Sequence, residues 1–221
     1  MHRRRYLTLA GAGVVGALAG CGGSGGGGGS TGGQSVDDHP AAANLDAQPR
    51  LGDLSGDVVL SFEEPSCTQC RRFHENTVPD IESNIVDAGE GAYVVRTYPI
   101  IYPWGKPATQ ALESTYARDG EAFWSLFAHY FESQNQFDSD NVFDRTEAFL
   151  DGSTAVDADA VVEDARNGVH DNAVQADISA AENADLPQQT PIVLLFRDGQ
   201  FVSSANGSVS YDLIAEALGV N

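Results

Sequence analysis

The feature of this 221-residue sequence that most constrains its fold is a cysteine pair placed just after a short apolar run. The run, Val58–Phe62, is hydrophobic and partly β-branched, which predicts a buried strand. Cys67 and Cys70 follow, and apolar residues recur mostly every three to five positions from Phe73 to Val86, as on one helical face. The chain is therefore expected to pass from a buried strand into a helix of about twenty residues, with both thiols at the helix start.

The later segments predict the rest of the fold. Residues 92–98 form a second apolar run that Pro99 stops, so strand, helix and strand make a right-handed βαβ unit with parallel strands. Residues 104–187 read as a helical block. An Asp-Gly turn within residues 191–203 predicts a β-hairpin, and residues 210–218 predict a closing helix. The expectation is an α/β fold whose βαβ half and hairpin half are separated by an all-helical insertion.

The first fifty residues differ from the rest and predict an export signal followed by a tether. Residues 3–5 are arginines, and the apolar stretch 7–20 would span only about 21 Å as a helix, too short for the roughly 30 Å bilayer core. Residues 1–20 are therefore interpreted as a signal peptide, similar to a twin-arginine signal. The glycine-rich sequence that follows predicts a flexible tether over residues 21–49, ahead of a domain at 50–221.

A cysteine at the end of this signal predicts a lipid anchor. The sequence Leu18-Ala19-Gly20-Cys21 resembles the lipobox of prokaryotic lipoproteins. The resemblance implies that Cys21 is the first mature residue and carries a lipid. We therefore expect an exported protein held at the outer face of the cytoplasmic membrane.

The charge of the chain excludes two classes of partner. The formal net charge is −20, with Lys106 as the single lysine. A surface this acidic repels nucleic acid and anionic lipid headgroups, so neither is expected to bind. Acidic residues spread along the chain with almost no lysine resemble the proteomes of salt-loving microbes, where molar salt screens the repulsion over about 3 Å.

Three interpretations of the cysteine pair are open from the residues. A zinc site needs about four ligands, and only His74, one helical turn beyond Cys70, stands near the pair. His74 is more simply a surface or packing residue. A structural disulfide closing so short a loop would restrict the unfolded chain very little. The remaining interpretation is a redox centre.

The position of the pair favours redox chemistry. Cys67 is expected at the first turn of its helix, with Ser66 as the cap, where unpaired N–H groups and the helix dipole stabilise a thiolate. Cys70 lies one turn further on. The spacing thus predicts an exposed nucleophile and a second thiol that resolves the mixed disulfide.

These features resemble the thioredoxin-like superfamily and, within it, the DsbA-type thiol–disulfide oxidoreductases. The resemblance covers about residues 50–220 and is carried by Val58–Phe62, Glu64, Cys67, Cys70, Phe73, His74, Tyr98-Pro99, Glu121–Trp124 and Thr190-Pro191. It implies a thioredoxin-like fold, with a central mixed sheet flanked by helices and a DsbA-like helical insertion. It also implies a cis peptide at Thr190-Pro191 facing the cysteines, and a cysteine redox centre that needs no other cofactor or metal.

Some residues depart from the family pattern. Thr68 and Gln69 stand between the cysteines where many members carry proline or histidine, so the direction of the redox reaction stays open. Ser61 stands where many relatives keep a buried acid that transfers protons. Glu64 is the candidate to replace that acid, although it fits equally well as a solvated turn residue.

The expected function is a tethered, monomeric oxidoreductase that acts on thiols and disulfides of exported proteins. An unidentified redox partner would recycle it. Pro65 and Trp104, as exposed apolar residues, are expected to line the substrate groove with Thr68 and Gln69. Asn206 begins a glycosylation sequon. The alternatives are a metal-binding or non-catalytic module on the same fold, and a reductase dedicated to one partner.

Overall fold

The computed structural model describes residues 33–101 and 103–220, and its centre is a five-stranded sheet. The strands lie in the order β1-β3-β2-β4-β5. Their bounds are Arg50–Gly52 (β1), Asp57–Glu63 (β2), Gly91–Thr97 (β3), Ile192–Arg197 (β4) and Gln200–Asn206 (β5). Strands β2 and β3 are parallel, with Leu60 opposite Val94, and every other neighbouring pair is antiparallel. The predicted parallel pair and the predicted hairpin are confirmed.

Strand β2 occupies the middle of the sheet and is buried along its whole length. Because successive side chains of a strand point to opposite faces, its residues divide between two cores. Val59 belongs to the core that contains both cysteines, whereas Val58, Leu60 and Phe62 belong to the core on the other face. Ser61 and Glu63 share the parity of Val59 and therefore lie on the cysteine face.

The helix after the cysteines is broken, whereas the sequence predicted one helix of about twenty residues. Helix α1 spans Thr68–Asn76, α2 spans Val78–Ile81, and a π-helical turn continues over Glu82–Val86. Thr77 separates α1 from α2 with φ −127°. Pro79 lies in the first turn of α2, where its missing N–H is tolerated, but it could not donate within a continuous helix. The prediction of one helix is therefore wrong at this point.

The helical block between the two halves of the sheet is confirmed. It consists of α3 (Gly105–Tyr116), α4 (Gly120–Glu132), α5 (Val142–Ser153), α6 (Ala158–Asn167) and α7 (Asp171–Asn183). A final helix, α8, spans Tyr211–Leu218 after the hairpin. Several of these helices have a capped start, for example by Asp119 and Asp157, whose side chains accept from the backbone of the first turn.

The segment before β1 packs on the sheet, which corrects the predicted end of the tether at residue 49. Ala41 and Ala42 are buried in the core opposite the cysteines. His39 is 4% exposed, and its ring stacks on Phe201 with 4.9 Å between centroids. Small and aromatic side chains in this segment cover apolar surface of the sheet, so the folded part begins before residue 49. Strand β1, only three residues long, was also missed because so short a segment carries no periodicity.

The predicted signal peptide and the predicted lipid on Cys21 fall on residues 1–32, outside the described part of the chain. Between residues 33 and 220, Tyr102 apart, no helix is long and apolar enough to cross a membrane.

Candidate active site

Cys67 is the N-terminal cap of α1, one residue before the predicted position in its first turn. Its sulfur accepts a hydrogen bond from the backbone N–H of Cys70 at 3.4 Å. Ser66 was expected to cap this helix, and that expectation is wrong, because its hydroxyl donates to the Glu64 carboxylate instead. The sulfur itself therefore takes the place of a capping oxygen, at the positive end of the helix dipole.

The surroundings of Cys67 stabilise its thiolate. They lower its pKa from 9.0 to about 6, chiefly through a hydrogen bond from the Cys70 thiol. Thr190 and the N–H groups of Cys70 and Gln69 lower the pKa further, whereas burial opposes them. The thiol is free and only 3% exposed, so the predicted exposed nucleophile is in fact covered. Hydrogen bonds to the charged form outweigh the cost of burying it.

Cys70 has the opposite character. It is fully buried, and burial raises the pKa of its thiol well above 9.0, helped by its hydrogen bond to Cys67 and by the negative charge of Glu63. The two thiols of one short motif therefore differ strongly in acidity. Cys67 is therefore the thiolate that can attack a disulfide, whereas Cys70 stays protonated until a reaction removes its proton.

The loop before β4 completes the surroundings of Cys67, although it lies more than a hundred residues away in sequence. The Thr190-Pro191 peptide bond is cis, as predicted. In the thiol form, Cys67 Sγ donates to the Thr190 carbonyl oxygen at 3.3 Å. The Thr190 hydroxyl is buried without a well-aligned partner among the described residues, so it is available to the thiolate. The structure thus brings Thr190 and Pro191 to the cysteines.

Gln134 fixes the backbone of the cysteine loop and was not identified from the sequence. Its Nε2 donates to the carbonyl oxygens of Pro65 at 2.8 Å and Cys67 at 3.0 Å. Gln134 lies in a short 3₁₀ turn after α4 and is buried. A glutamine in a polar run has no periodicity that would single it out, so only the tertiary structure reveals this contact.

Glu64 anchors the loop that follows β3. It is fully buried, which rules out the solvated turn acid considered above. One carboxylate oxygen accepts the N–H groups of Ile100 at 3.0 Å and Ile101 at 2.7 Å, and the other accepts from Ser66. Gly105 is needed here, since a Cβ on it would overlap the carboxylate. These contacts support a positioning role and give no support to the predicted proton transfer.

Of the four residues expected to line a substrate groove, two are exposed. Thr68 and Gln69 face solvent at the start of α1. Pro65 is buried, and Trp104 is 8% exposed and stacks on Phe137 with 5.4 Å between ring centroids. The prediction that Pro65 and Trp104 are exposed apolar residues is therefore wrong, because both are buried, and Trp104 belongs to the core that contains the cysteines.

A buried acid that the sequence did not indicate acts on Cys70 through its charge. Glu63 is 0% exposed and stands one pleat beyond Ser61 on the cysteine face of β2. Its Oε1 accepts from Ser61 at 2.6 Å and Tyr93 at 2.5 Å, and its Oε2 lies 2.9 Å from His74 Nε2. The period of two along a strand could have indicated Glu63, since residues 61 and 63 share a face.

His74 packs against aromatic rings in addition to pairing with Glu63. Its ring stacks on Phe131 with 4.3 Å between centroids and meets Phe127 edge-on. No group of three or more His, Cys, Asp or Glu side chains suited to a metal is found between residues 33 and 220, Tyr102 excluded. Asn206 is exposed at the end of β5, and its glycosylation stays a prediction.

Comparison with known proteins identifies this architecture. Residues 45–214 match a family model described as thioredoxin. The fold is similar to that of oxidised BdbD from Bacillus subtilis, with a TM-score of 0.72 and 19% identity over 85% of this chain and 95% of that one.

Two further structures show the same architecture. DsbA from Chlamydia trachomatis has a TM-score of 0.67 and 19% identity, over 80% of this chain and 91% of that one. The catalytic domain of ScsC from Proteus mirabilis has a TM-score of 0.61 and 20% identity, over 83% and 94%. None of the curated proteins matches this sequence. At these identities the likeness concerns the fold, which is thioredoxin-like as the sequence predicted.

Proposed function

The chain belongs to the thioredoxin family, and from that premise we propose that it is a DsbA-like thiol–disulfide oxidoreductase with Cys67 and Cys70 as its redox centre. The observation that carries the proposal is the placement of the two thiols: Cys67 Sγ caps helix α1 beside the Thr190 carbonyl, and Cys70 is fully buried. The pKa of Cys67 is lowered to about 6, and that of Cys70 is raised well above 9.0. Thiol–disulfide exchange needs one thiolate that attacks and a second thiol that is ionised only during resolution.

The reaction follows from these two states. The Cys67 thiolate attacks one sulfur of a substrate disulfide, forming a mixed disulfide and releasing one substrate thiolate, which takes a proton from solvent. Cys70 then loses its proton and attacks Cys67 Sγ. The Cys67–Cys70 bond forms, the bond to the substrate breaks, and the second substrate thiolate leaves. The substrate disulfide gains two electrons and the cysteine pair loses two; oxidation of a substrate dithiol is the same sequence in reverse.

The low pKa of Cys67 favours the oxidising direction. A thiolate that is stabilised in the reduced form makes the disulfide form easier to reduce, and so a better oxidant. With a pKa of about 6, Cys67 is about 90% ionised at pH 7, which stabilises the reduced form by about 1.4 kcal/mol, or about 30 mV for a two-electron couple. The alternative, a dedicated reductase, predicts a potential near that of thioredoxin, at about −270 mV.

We further propose that the enzyme acts outside the cytoplasm on exported proteins, tethered through a lipid on Cys21. The support comes from the sequence alone: the arginines at residues 3–5, the short apolar stretch and the lipobox-like Leu18–Cys21. The substrates would be exported protein thiols or disulfides, with a separate partner that restores the redox state. Labelling of the expressed protein with a radioactive fatty acid tests the anchor, since Cys21→Ser should abolish it.

The catalytic roles are tested by two single substitutions. Cys67→Ser is expected to abolish disulfide exchange, because the attacking thiolate is lost. Cys70→Ser is expected to retain attack and to accumulate mixed disulfides, because nothing resolves them. Insulin reduction and mass spectrometry of trapped adducts measure the two effects. Equal activity of the two variants would contradict the assignment of roles.

A further inference from the structure

We propose that Arg72, together with Thr68 and Gln69, forms a docking surface for an acidic segment of the substrate protein. The enzyme would then prefer a reactive cysteine that has an aspartate or glutamate two residues away. The inference rests on the proposed redox function and names the class of substrate that its site favours. All three residues are exposed on α1, next to Cys67, and together they are called the docking surface.

The position of Arg72 on α1 brings its side chain towards the attacking sulfur. Cys67 caps the helix, and Arg72 follows five positions later, which is about 7.5 Å along the helix axis. Thr68 and Arg72 are four positions apart and therefore lie on the same face. Because helical side chains lean towards the N-terminus, Arg72 covers the turn that begins at Thr68. Its guanidinium group therefore lies beside the path by which a substrate approaches Cys67.

The charge of Arg72 is not compensated within the described part of the chain. Nine lysines and arginines lie outside residues 3–5. Five of them pair with a carboxylate at 3.7 Å or less, namely Arg71, Arg96, Lys106, Arg118 and Arg166. Arg50 and Arg145 donate to other protein oxygens. The side chains of Arg72 and Arg197 do neither among the described residues, and Arg197 ends β4 at the edge of the sheet away from the cysteines.

The neighbouring arginine shows the contrast. Arg71 Nε donates to Glu75 at 2.8 Å, one turn later on the same helix, so the positive charge of Arg71 is compensated within α1. The chain has 32 acidic and 12 basic residues, so a surface arginine has many possible carboxylate partners. Arg72 is exposed and meets none of them among the described residues. It therefore makes a positive point beside the reactive sulfur on an otherwise acidic molecule.

A carboxylate is the group that this surface fits. A guanidinium group is planar and can donate two parallel hydrogen bonds to the two oxygens of a carboxylate. In an extended segment, residues advance by about 3.3 Å each, and residues two positions apart point to the same side. A side chain two positions from the reactive cysteine therefore lies about 7 Å from it, which matches the spacing of Cys67 and Arg72 along α1. The favoured substrate carries Asp or Glu at that position.

Adduct formation with peptide disulfides measures this preference. The full chain carrying Cys21→Ser and Cys70→Ser, here called the trapping protein, keeps Cys67 as its one thiol. The Cys67 thiolate attacks a symmetrical peptide disulfide, a bond forms between Cys67 and one peptide, and the other peptide leaves as a thiolate that takes a proton from solvent. Three peptides of equal length carry aspartate, asparagine or lysine two residues to either side of their single cysteine. Mass spectrometry follows the adduct, and each rate is divided by the rate of a small neutral thiol with the same peptide.

The order of the three peptides distinguishes the docking surface from the general field of the protein. The trapping protein should react about threefold to fivefold faster with the aspartate peptide than with the lysine peptide, as one exposed charge pair allows. The net charge of −20 alone predicts the opposite order, because an acidic protein attracts lysine. Arg72→Gln should lower the aspartate-to-lysine ratio to one or below, Arg72→Glu should lower it further, and Arg72→Lys should retain part of it. The matched control is Arg71→Gln, which should change the ratio by less than about twofold.

Salt and the remaining outcomes decide between the explanations. At about 1 M salt the Debye length is about 3 Å, so a preference that depends on direct contact should survive in part. Equal rates for the three peptides, a preference for lysine, or an aspartate preference that Arg72→Gln leaves intact overturns the docking surface while the redox function stands. An aspartate preference that disappears at about 1 M salt overturns it as well, because attraction without contact is then sufficient. Failure of the trapping protein to form an adduct with any of the peptides refutes the redox function itself.

Discussion

The hydrogen bond between the two thiols should set much of the acidity of Cys67, and paired substitutions of Cys70 test this. The Cys70 thiol is the largest single cause of the lowered pKa of Cys67. Cys70→Ala removes that donor, whereas Cys70→Ser replaces it with a hydroxyl donor. Both variants lack the second thiol, so only the hydrogen bond differs between them.

The size of the effect follows from the energy of a hydrogen bond to a charged group. Such bonds contribute about 1.5 to 3 kcal/mol, and one pKa unit corresponds to about 1.36 kcal/mol. Loss of the donor should therefore raise the pKa of Cys67 by about one to two units, from about 6 to about 7 or 8. The contributions of Thr190 and the N–H groups remain, so the pKa should stay below the ordinary value of 9.0.

The pH dependence of alkylation measures this pKa directly. With Cys21→Ser in the background, Cys67 is the one remaining thiol, and its rate with iodoacetamide follows the thiolate fraction. Cys70→Ser should keep its midpoint within a few tenths of about 6, and Cys70→Ala should move upward by about one to two units. Identical midpoints in the two variants would show that the helix end and Thr190, not the second thiol, acidify Cys67.

Two further predictions concern the buried carboxyl groups of Glu113 and Glu64. Burial, with the nearby charge of Asp177, raises the pKa of Glu113 from 4.5 to about 8, so stability is fully present below 4.5 and is lost as the pH rises through about 8. The loss of unfolding free energy between pH 4.5 and pH 8 amounts to about 5 kcal/mol at most. Urea unfolding at about pH 5 and about pH 9 measures this loss, which should be smaller in Glu113→Gln than in the parent protein. An equal loss in both proteins would contradict the assignment. Gly105→Ala places a methyl group against the Glu64 carboxylate and should cost about 1 to 3 kcal/mol of unfolding free energy. The control is Gly152→Ala, which has open space around it and should cost nothing. Equal melting temperatures of the two variants would disprove the close approach at Gly105.

Local pattern was enough to predict much of this fold. The β-branched runs at Val58–Phe62 and residues 92–98, and the Asp198-Gly199 turn, predicted strands and a hairpin that the structure contains. These elements are specified by residues near one another in sequence. The same locality explains one failure: Pro79, inside an otherwise periodic stretch, ended a helix that the apolar spacing alone extended to residue 86.

Exposure was the property that sequence could not supply. Trp104 and Pro65 were expected at the surface, and both are buried, because the helical block closes over the cysteine loop. The segment around His39 was expected to be tether, and it covers the sheet. In each case the burial depends on a surface formed by residues distant in sequence.

The sequence by itself determined which atoms can do the chemistry: two sulfurs three positions apart at the start of a helix that follows a buried strand. The tertiary structure decided how acidic each sulfur is, because Thr190 reaches Cys67 from a distant loop, while burial and the charge of Glu63 act on Cys70. Periodicity records which residues share a face of one element. The pKa of a buried thiol depends on groups that only the folded chain brings together.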